Sequence, residues 1–267
     1  MRRLKQLSKR LGWSAALIVV CSYAIFWSPQ WLFLIVIEVF VVLGLLEFFH
    51  LSREKGFPLN PYLVLTFGVL FPLPFYFLTD LFILTAATLT LFIFYLRPQL
   101  KEHAFVNTAL SVFGLVYVAW FFSFLAEIRV LDQGALWIFY VILIVKGGDA
   151  GAYFIGQKFG RHKLIVHISP NKSVEGSIAG FLVTVLLSLA SKLYLNDVPM
   201  FHLAILGIVL GVIGQLGDLS ESLLKRDAGV KDSGALPGLG GVLDIMDSLL
   251  LTIPVTYYYL TTIEGLY

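Results

Sequence analysis

Long apolar runs separated by short polar breaks occupy almost the whole chain. Nine of them approach the roughly 20 residues that a helix needs to cross a bilayer. They cover residues 11–28, 30–51, 61–79, 80–97, 104–128, 135–157, 173–195, 199–225 and 242–263. The first two are divided only by Trp27-Ser-Pro-Gln-Trp31, whose tryptophans and proline suit an interfacial hairpin. Pro72 and Pro74 interrupt the third run, so its border with the fourth is the least sharp. The pattern predicts an all-α fold, a polytopic helical membrane bundle of about nine transmembrane helices.

Charge then orients the bundle. With the N-terminus cytoplasmic, the inner connections carry Arg2, Arg3, Lys5, Lys9, Arg10, Arg53, Lys55, Arg97, Lys101, Lys158, Arg161, Lys163, Lys172, Lys225, Arg226 and Lys231, which is 16 of the 19 Lys and Arg. Arg129 falls outside, and Lys146 and Lys192 fall within spans. A missed or extra span would scramble this bias, so the positive-inside rule predicts an inner N-terminus and an outer C-terminus. The basic stretch at residues 2–10 resembles a secretory signal, but no small-x-small site ends the run behind it; a retained signal-anchor helix is expected. Hydrophobic residues make up 58% of the chain and charged residues 13%, against about 25% charged in soluble proteins. Cys21 is the single cysteine, which excludes an intramolecular disulfide, and no Cys/His cluster has zinc spacing.

The connections at 158–172 and 226–241 are long, basic and glycine-containing, whereas those of the first half are short. Chemistry is therefore expected in residues 98–267, with residues 1–97 as packing helices and a possible dimer contact.

Four constellations carry candidate chemistry. Lys146, Asp149 and Tyr153 share one face of the sixth run, and Asp149 lies about 21 Å from its outer end. A satisfied Lys146–Asp149 pair is the plain explanation, but an intramembrane ionisable residue points to function. In Ser169-Pro-Asn-Lys172-Ser173-Val-Glu175-Gly176, Ser169 or Asn171 is expected to cap the next helix, Pro170 to occupy its first turn and Glu175 to face its positive end. An ordinary capped loop explains these residues; a phosphate at that helix start, beside Lys172, is the functional alternative. Asp218, Glu221, Ser222 and Lys225 form a polar stripe near the inner end of the eighth run, and a solvated helix end accounts poorly for Asp218. Asp244 and Asp247 share a face at the start of the ninth. The helix dipole explains either carboxylate alone. Two acidic helix ends on one side of a membrane, joined by a glycine loop, suit divalent cations shared by Asp218 and Asp244. Gly147/Gly151, Gly176/Gly180 and Gly207/Gly211 have small-xxx-small spacing and predict helix contacts.

The run Ser222-x-x-Lys225-Arg226, Lys231-Asp232-Ser-Gly, Pro237-Gly-Leu-Gly-Gly-x-Leu-Asp244-x-x-Asp247 resembles the signature of the phosphatidate cytidylyltransferase (CDP-diacylglycerol synthase) family. Asp149-Ala-Gly-Ala-Tyr153 with Gly156-x-Lys-Phe-Gly160, and Ser169-Pro-x-Lys172-Ser-x-Glu175-Gly176, are similar to its two upstream motifs, so the likeness covers roughly residues 140–250. There are departures. Leu239 stands where the family usually has His, Ile245 where it usually has Arg, and the connection is one residue shorter, with only Ala235 between Gly234 and Leu236.

The resemblance implies a nucleotidyltransferase of phospholipid biosynthesis that moves the CMP of CTP onto phosphatidate, giving CDP-diacylglycerol and pyrophosphate. It implies Mg²⁺, with a second cation such as K⁺ as an option, on Asp218 and Asp244, supported by Asp247. Lys225, Arg226 and Lys231 are expected on the triphosphate, with Asp232 and Ser222 in the same substrate set. Lys172, Ser173 and Glu175 are expected on a second phosphate, and Asp149 at the buried end of the cavity. CTP, phosphatidate and membrane lipid are the expected partners, with no nucleic acid and a homodimer by resemblance. The expected location is a bacterial inner membrane, with the site facing the cytoplasm. Two rivals remain: a CTP-dependent polyprenol or phytol kinase, which would leave CDP, and a secondary transporter, which would need an inverted repeat that the chain lacks.

Overall fold

Helices form over most of the apolar runs, because a main chain in hydrocarbon must satisfy its own N–H and C=O groups. The computed structural model describes residues 15–73, 79–100, 102–234 and 240–263. Its elements are α1 (Ala15–Phe26), α2 (Gln30–Glu54), α3 (Pro61–Gly68), α4 (Asp80–Tyr95), α5 (Ala104–Gly114), α6 (Phe121–Val130), α7 (Gly134–Phe159), β1 (Lys163–Ile165), β2 (Ser169–Ser173), α8 (Val174–Ala190), α9 (Met200–Asp227) and α10 (Val242–Ile263). A π-helical turn, Leu115–Trp120, fuses α5 and α6 into one segment. Among the described residues, five segments are long and apolar enough to cross a membrane: Gln30–Glu54, Ala104–Val130, Gly134–Phe159, Val174–Leu193 and Met200–Asp227. The chain is an all-α membrane protein.

The third run departs from its expected length. α3 has eight residues, started by Pro61 and by the Asn60 side chain, which accepts from Leu63 N. Beyond Gly68 the chain turns, and Pro72, lacking an N–H, lies in those turns. Pro74 lies outside the described residues, as do Arg2, Arg3, Lys5, Lys9, Arg10, Lys101, Ala235, Leu236, Pro237 and Leu239.

The chain divides into two compact units, Met1–Glu127 with Leu224–Ile245, and Ile128–Leu223 with Met246–Tyr267. In the first, α2 buries Phe33, Ile37, Val41, Gly44, Leu45, Phe48 and Leu51, a stripe advancing by three or four residues. α4 buries Ile83, Ala87, Leu91 and Tyr95, and the π turn buries Leu115, Tyr117, Val118 and Ala119. Gly68 lets α3 approach closely, since a Cβ there would meet Leu45 Cδ1 at 2.5 Å. Trp120 Nε1 donates to Asp80 Oδ2 at 2.7 Å, which ties the π turn to the start of α4.

In the second unit α7 and α8 run antiparallel and touch through small residues. A Cβ on Gly180 would lie 2.8 Å from Ala152 Cβ and 2.9 Å from Gly148 O; one on Gly176 would lie 2.8 Å from Ala152 O. Gly207 abuts Ser188 in the same way, and Gly147 and Gly151 receive Leu187 and Val183. The small-xxx-small pairs are therefore helix contacts. Lipid provides no hydrophobic drive for helix association, so close backbone approach and dispersion hold such pairs together. Tyr140 and Ser188 share a buried hydrogen bond of 2.6 Å, and Ser188 Oγ lies 2.5 Å from Leu203 O, linking α7, α8 and α9.

Between α7 and α8, β1 and β2 form an antiparallel hairpin with an irregular register, Lys163 opposite Ser173 and Ile165 opposite Ser169. This corrects the expected cap. Ser169, Pro170 and Asn171 lie on β2, and Val174 N still bonds His162 O at 2.9 Å, so the chain stays extended as far as Ser173. Ser173 is the N-cap of α8, its Oγ accepting from Gly176 N at 3.2 Å.

Candidate functional site

The glycines that draw α7 and α8 together leave a cavity of about 780 Å³ within the second unit, walled by α7, α8, α9 and the hairpin. Its lining on α7 extends from Val145 to Gln157, a rise of about 18 Å. The deep end is apolar, with Val145 and Leu210; the hairpin end brings Lys163, Asn171 and Lys172. Asp149 and Asp218 also line it, as does Ser173.

Two charged clusters of this unit include cavity-lining carboxylates. Lys172 Nζ lies 2.5 Å from Asp218 Oδ2. Lys146 Nζ contacts three side chains, Asp149 Oδ2 at 3.2 Å, Asp247 Oδ1 at 3.0 Å and Ser248 Oγ at 2.7 Å. Ser248 Oγ in turn reaches Asp149 Oδ2 at 2.8 Å. Lys146 thus serves two carboxylates from different helices, where the helical spacing suggested a pair within α7. α9 and α10 meet closely beside it: a Cβ on Gly217 would lie 2.7 Å from Asp247 O.

Asp244 belongs to the first unit, where Lys225 is its ion-pair partner through Oδ1. Oδ2 accepts from Gly241 N at 2.6 Å and Ser233 N at 3.1 Å, with Ser233 Oγ at 3.0 Å. As the third residue of α10 it reaches back to the N–H just before the helix, the arrangement of a capping box. The pair is nearly dry, with Lys225 10% and Asp244 14% exposed. Glu47, from α2, completes the cluster by accepting from Val242 N, Leu243 N and Ser233 Oγ, each at 2.8 Å.

The remaining expected residues are spread around these groups. Arg226 is exposed and donates to Val230 O at 3.1 Å. Lys231 and Asp232 are exposed in the segment after α9, and Ser222 is half-buried on α9. Glu175 turns its carboxylate to Arg161 N at 3.1 Å, His162 N at 3.2 Å and His162 Nδ1 at 2.6 Å, which bolts the chain entering the hairpin onto α8. It does not line the cavity. Ile245 is half-buried on α10. Glu47, Ser233 and Ser248 were absent from the expected set, and Lys146 was noted without a role in it. Glu47 carried a usable signal, a carboxylate inside an apolar run, the reasoning that singled out Asp218.

Each of the two carboxylates expected to hold a cation has the oxygen donors that a hard cation takes. Asp218 and Asp244 offer only oxygen, and Mg²⁺ is commonly held by one or two carboxylates with the rest of its shell from water and substrate phosphate. Among the described residues, no group of three or more His, Cys, Asp or Glu has metal-holding geometry, a requirement that Mg²⁺ bound together with a nucleotide does not impose.

The fold and site define an all-α membrane protein with carboxylate–lysine pairs at a polar-mouthed cavity. The chain belongs to the cytidylyltransferase family, whose profile matches residues 8–263. It is 44% identical over 148 residues to the phosphatidate cytidylyltransferase of Bacillus subtilis (54% of this chain, 55% of that one). It is 39% identical over 156 residues to that of Staphylococcus saprophyticus (58% and 59%), and 31% identical over 281 residues to that of Synechocystis (92% and 94%). The chain spans rather more than half the length of the first two relatives, and nearly all of the third.

Proposed function

We propose that the protein transfers the CMP moiety of CTP to phosphatidate, releasing pyrophosphate and leaving CDP-diacylglycerol in the membrane. The observation that carries this reading is the cavity of the second unit, which joins an apolar deep end to a mouth holding Lys172 and Asp218. Its volume lies within the roughly 300–1,000 Å³ of small-molecule sites. The relatives' names and the family match support the same substrates.

An anionic oxygen of the phosphatidate phosphate attacks the α-phosphorus of CTP; the bond from that phosphorus to the β-phosphate bridging oxygen breaks, and pyrophosphate leaves with the electron pair. The nucleophile is already ionised, so no strong base is needed. The barrier lies in bringing two polyanions together and stabilising the leaving group, a matter of positioning and electrostatics. Lys172 and Ser173 take a phosphate at the cavity mouth. Lys225, Arg226 and Lys231 neutralise the triphosphate, and Asp149, paired with Lys146, lines the cavity one turn from its apolar end. Asp218 and Asp244 are the proposed Mg²⁺ ligands, supported by Asp247, and the cation would supply charge neutralisation to the phosphates.

We assign nine spans to the membrane, with N-terminus inside and C-terminus outside, on the placement of 16 of the 19 Lys and Arg. The site then faces the cytoplasm of a bacterial inner membrane, where CTP is available and basic connections attract an anionic lipid. A homodimer rests on the family resemblance.

Incubating the purified protein with labelled CTP, Mg²⁺ and phosphatidate tests the reading. Label in a chloroform-soluble CDP-lipid, with one pyrophosphate per lipid, is the expected result. With a polyprenol supplied in place of phosphatidate, release of CDP and formation of the polyprenyl phosphate would replace it with the kinase reading.

A further inference from the structure

Glu47 lies about two turns from the end of α2, yet its carboxylate is committed to residues 186 to 196 positions away. Oε1 accepts from Val242 N; Oε2 accepts from Leu243 N and Ser233 Oγ. Val242 and Leu243 open α10, and their N–H groups have no acceptor within that helix. All these residues belong to one compact unit.

The same cluster holds Asp244. Ser233 Oγ stands between Glu47 Oε2 at 2.8 Å and Asp244 Oδ2 at 3.0 Å, and Ser233 N donates to Asp244. One hydroxyl carries one proton, so Ser233 bridges two carboxylates and serves one at a time. Ser233 is fully buried, which removes water as a substitute partner. The two glycines beside it are shaped by Glu47. A Cβ on Gly234 would lie 2.7 Å from Glu47 Cδ, and one on Gly241 would run into Ser233 Oγ, the Glu47 carboxylate and Gly234 N. Those glycines belong to the Lys-Asp-Ser-Gly and Gly-Gly steps of the motif, so part of the motif exists to admit a carboxylate from a distant helix.

We propose that Glu47 is a positioning residue: by clamping the first turn of α10 and Ser233, it holds the Asp244 carboxylate in the orientation that engages Lys225 and Gly241. Glu47 acts through Asp244, since the bonds of both its oxygens run to protein donors. The kinetic consequence rests on the functional reading above; the clamp itself rests on geometry alone.

The experiment compares Glu47→Ala, Glu47→Gln and wild type as full chains in detergent micelles. Amide hydrogen exchange at residues 240–245 and at Ser233 is expected to quicken about fivefold or more in Glu47→Ala, with α7 and α8 unchanged. In turnover, kcat falls about ten- to hundredfold and the Mg²⁺ concentration giving half-maximal rate rises, while KM for phosphatidate stays within about twofold. Glu47→Gln keeps one carbonyl acceptor and recovers part of the loss. Ser233→Ala combined with Glu47→Ala costs less than the product of the two single effects, because both break one clamp. Unchanged exchange in Glu47→Ala overturns the proposal whether or not the wild type makes CDP-diacylglycerol. Faster exchange with unaltered kcat and Mg²⁺ dependence in an active enzyme also overturns it, leaving Glu47 a packing residue. An inactive wild type defeats the functional reading, and the exchange measurement still decides the clamp. Should Glu47→Ala fail to fold, Glu47→Gln supports the same measurements.

Discussion

The ammonium of Lys172 lies 2.5 Å from Asp218 Oδ2, and both side chains are 28% exposed to the cavity that they line. The pair is more open than the drier ion pairs of the chain and lines a cavity, so a phosphate or a cation entering that cavity can compete for either group. That property separates it from the drier pair, Lys225 with Asp244.

Asp218→Asn and Lys172→Ala are therefore expected to lower CDP-diacylglycerol formation by about a hundredfold or more, with a smaller loss of thermal stability in micelles than when the drier Lys225–Asp244 pair is broken. Chelation should stop wild-type turnover, and Mg²⁺ should restore it, with a higher requirement in Asp218→Asn. Near-normal turnover in both variants would remove this pair from the site.

Lys225→Ala should behave differently. It leaves the Asp244 carboxylate without its ion-pair partner, a loss of about 3–5 kcal/mol for a buried pair broken on one side. Chemical unfolding of the purified protein measures it. The double variant Lys225→Met with Asp244→Asn should regain part of that stability and none of the activity, because the amide oxygen can still accept from Gly241 N and Ser233 N.

Lys146→Met strips the cation from between Asp149 and Asp247, leaving two carboxylates around Ser248. The melting temperature should drop by several degrees, and by less when Asp149→Asn is added, because the amide removes one of the stranded charges. Equal or additive losses would show that the contacts do not form one network.

Gly180→Ala should cost about 1–3 kcal/mol and reduce turnover together, because the added methyl meets Ala152 and Gly148 O where α7 and α8 form the cavity wall. Thermal unfolding and turnover of the same preparation check both effects. Gly229→Ala offers a contrast. Among the described residues, no atom beyond its chain neighbours lies within 4 Å of a Cβ there, and its penalty comes from the positive φ of +74°.

Much of the fold was legible because hydrocarbon leaves the chain little choice. Runs such as 135–157 and 199–225 became α7 and α9 nearly end to end, and Gly176/Gly180 marked a helix contact at i, i+4 as its spacing implied. The third run misled because hydropathy continues through Pro72 while the main-chain bonding does not. The α8 cap was misplaced for a related reason. Ser169, Asn171 and Ser173 are all capable cap residues, and the hairpin pairing of 162 with 174 decided which one the helix could use.

By itself the sequence determined that the chain lies in membrane as helices, which faces of those helices are polar, and which family motifs they carry; each follows from local periodicity and from the cost of charge in an apolar solvent. Only the tertiary structure decided the partners: Lys146 with two carboxylates instead of one, Lys172 with Asp218, and Glu47 over the start of α10. A helical period says which side of a helix a carboxylate occupies. Which cation or N–H satisfies it depends on how distant helices cross, and no local pattern encodes that crossing.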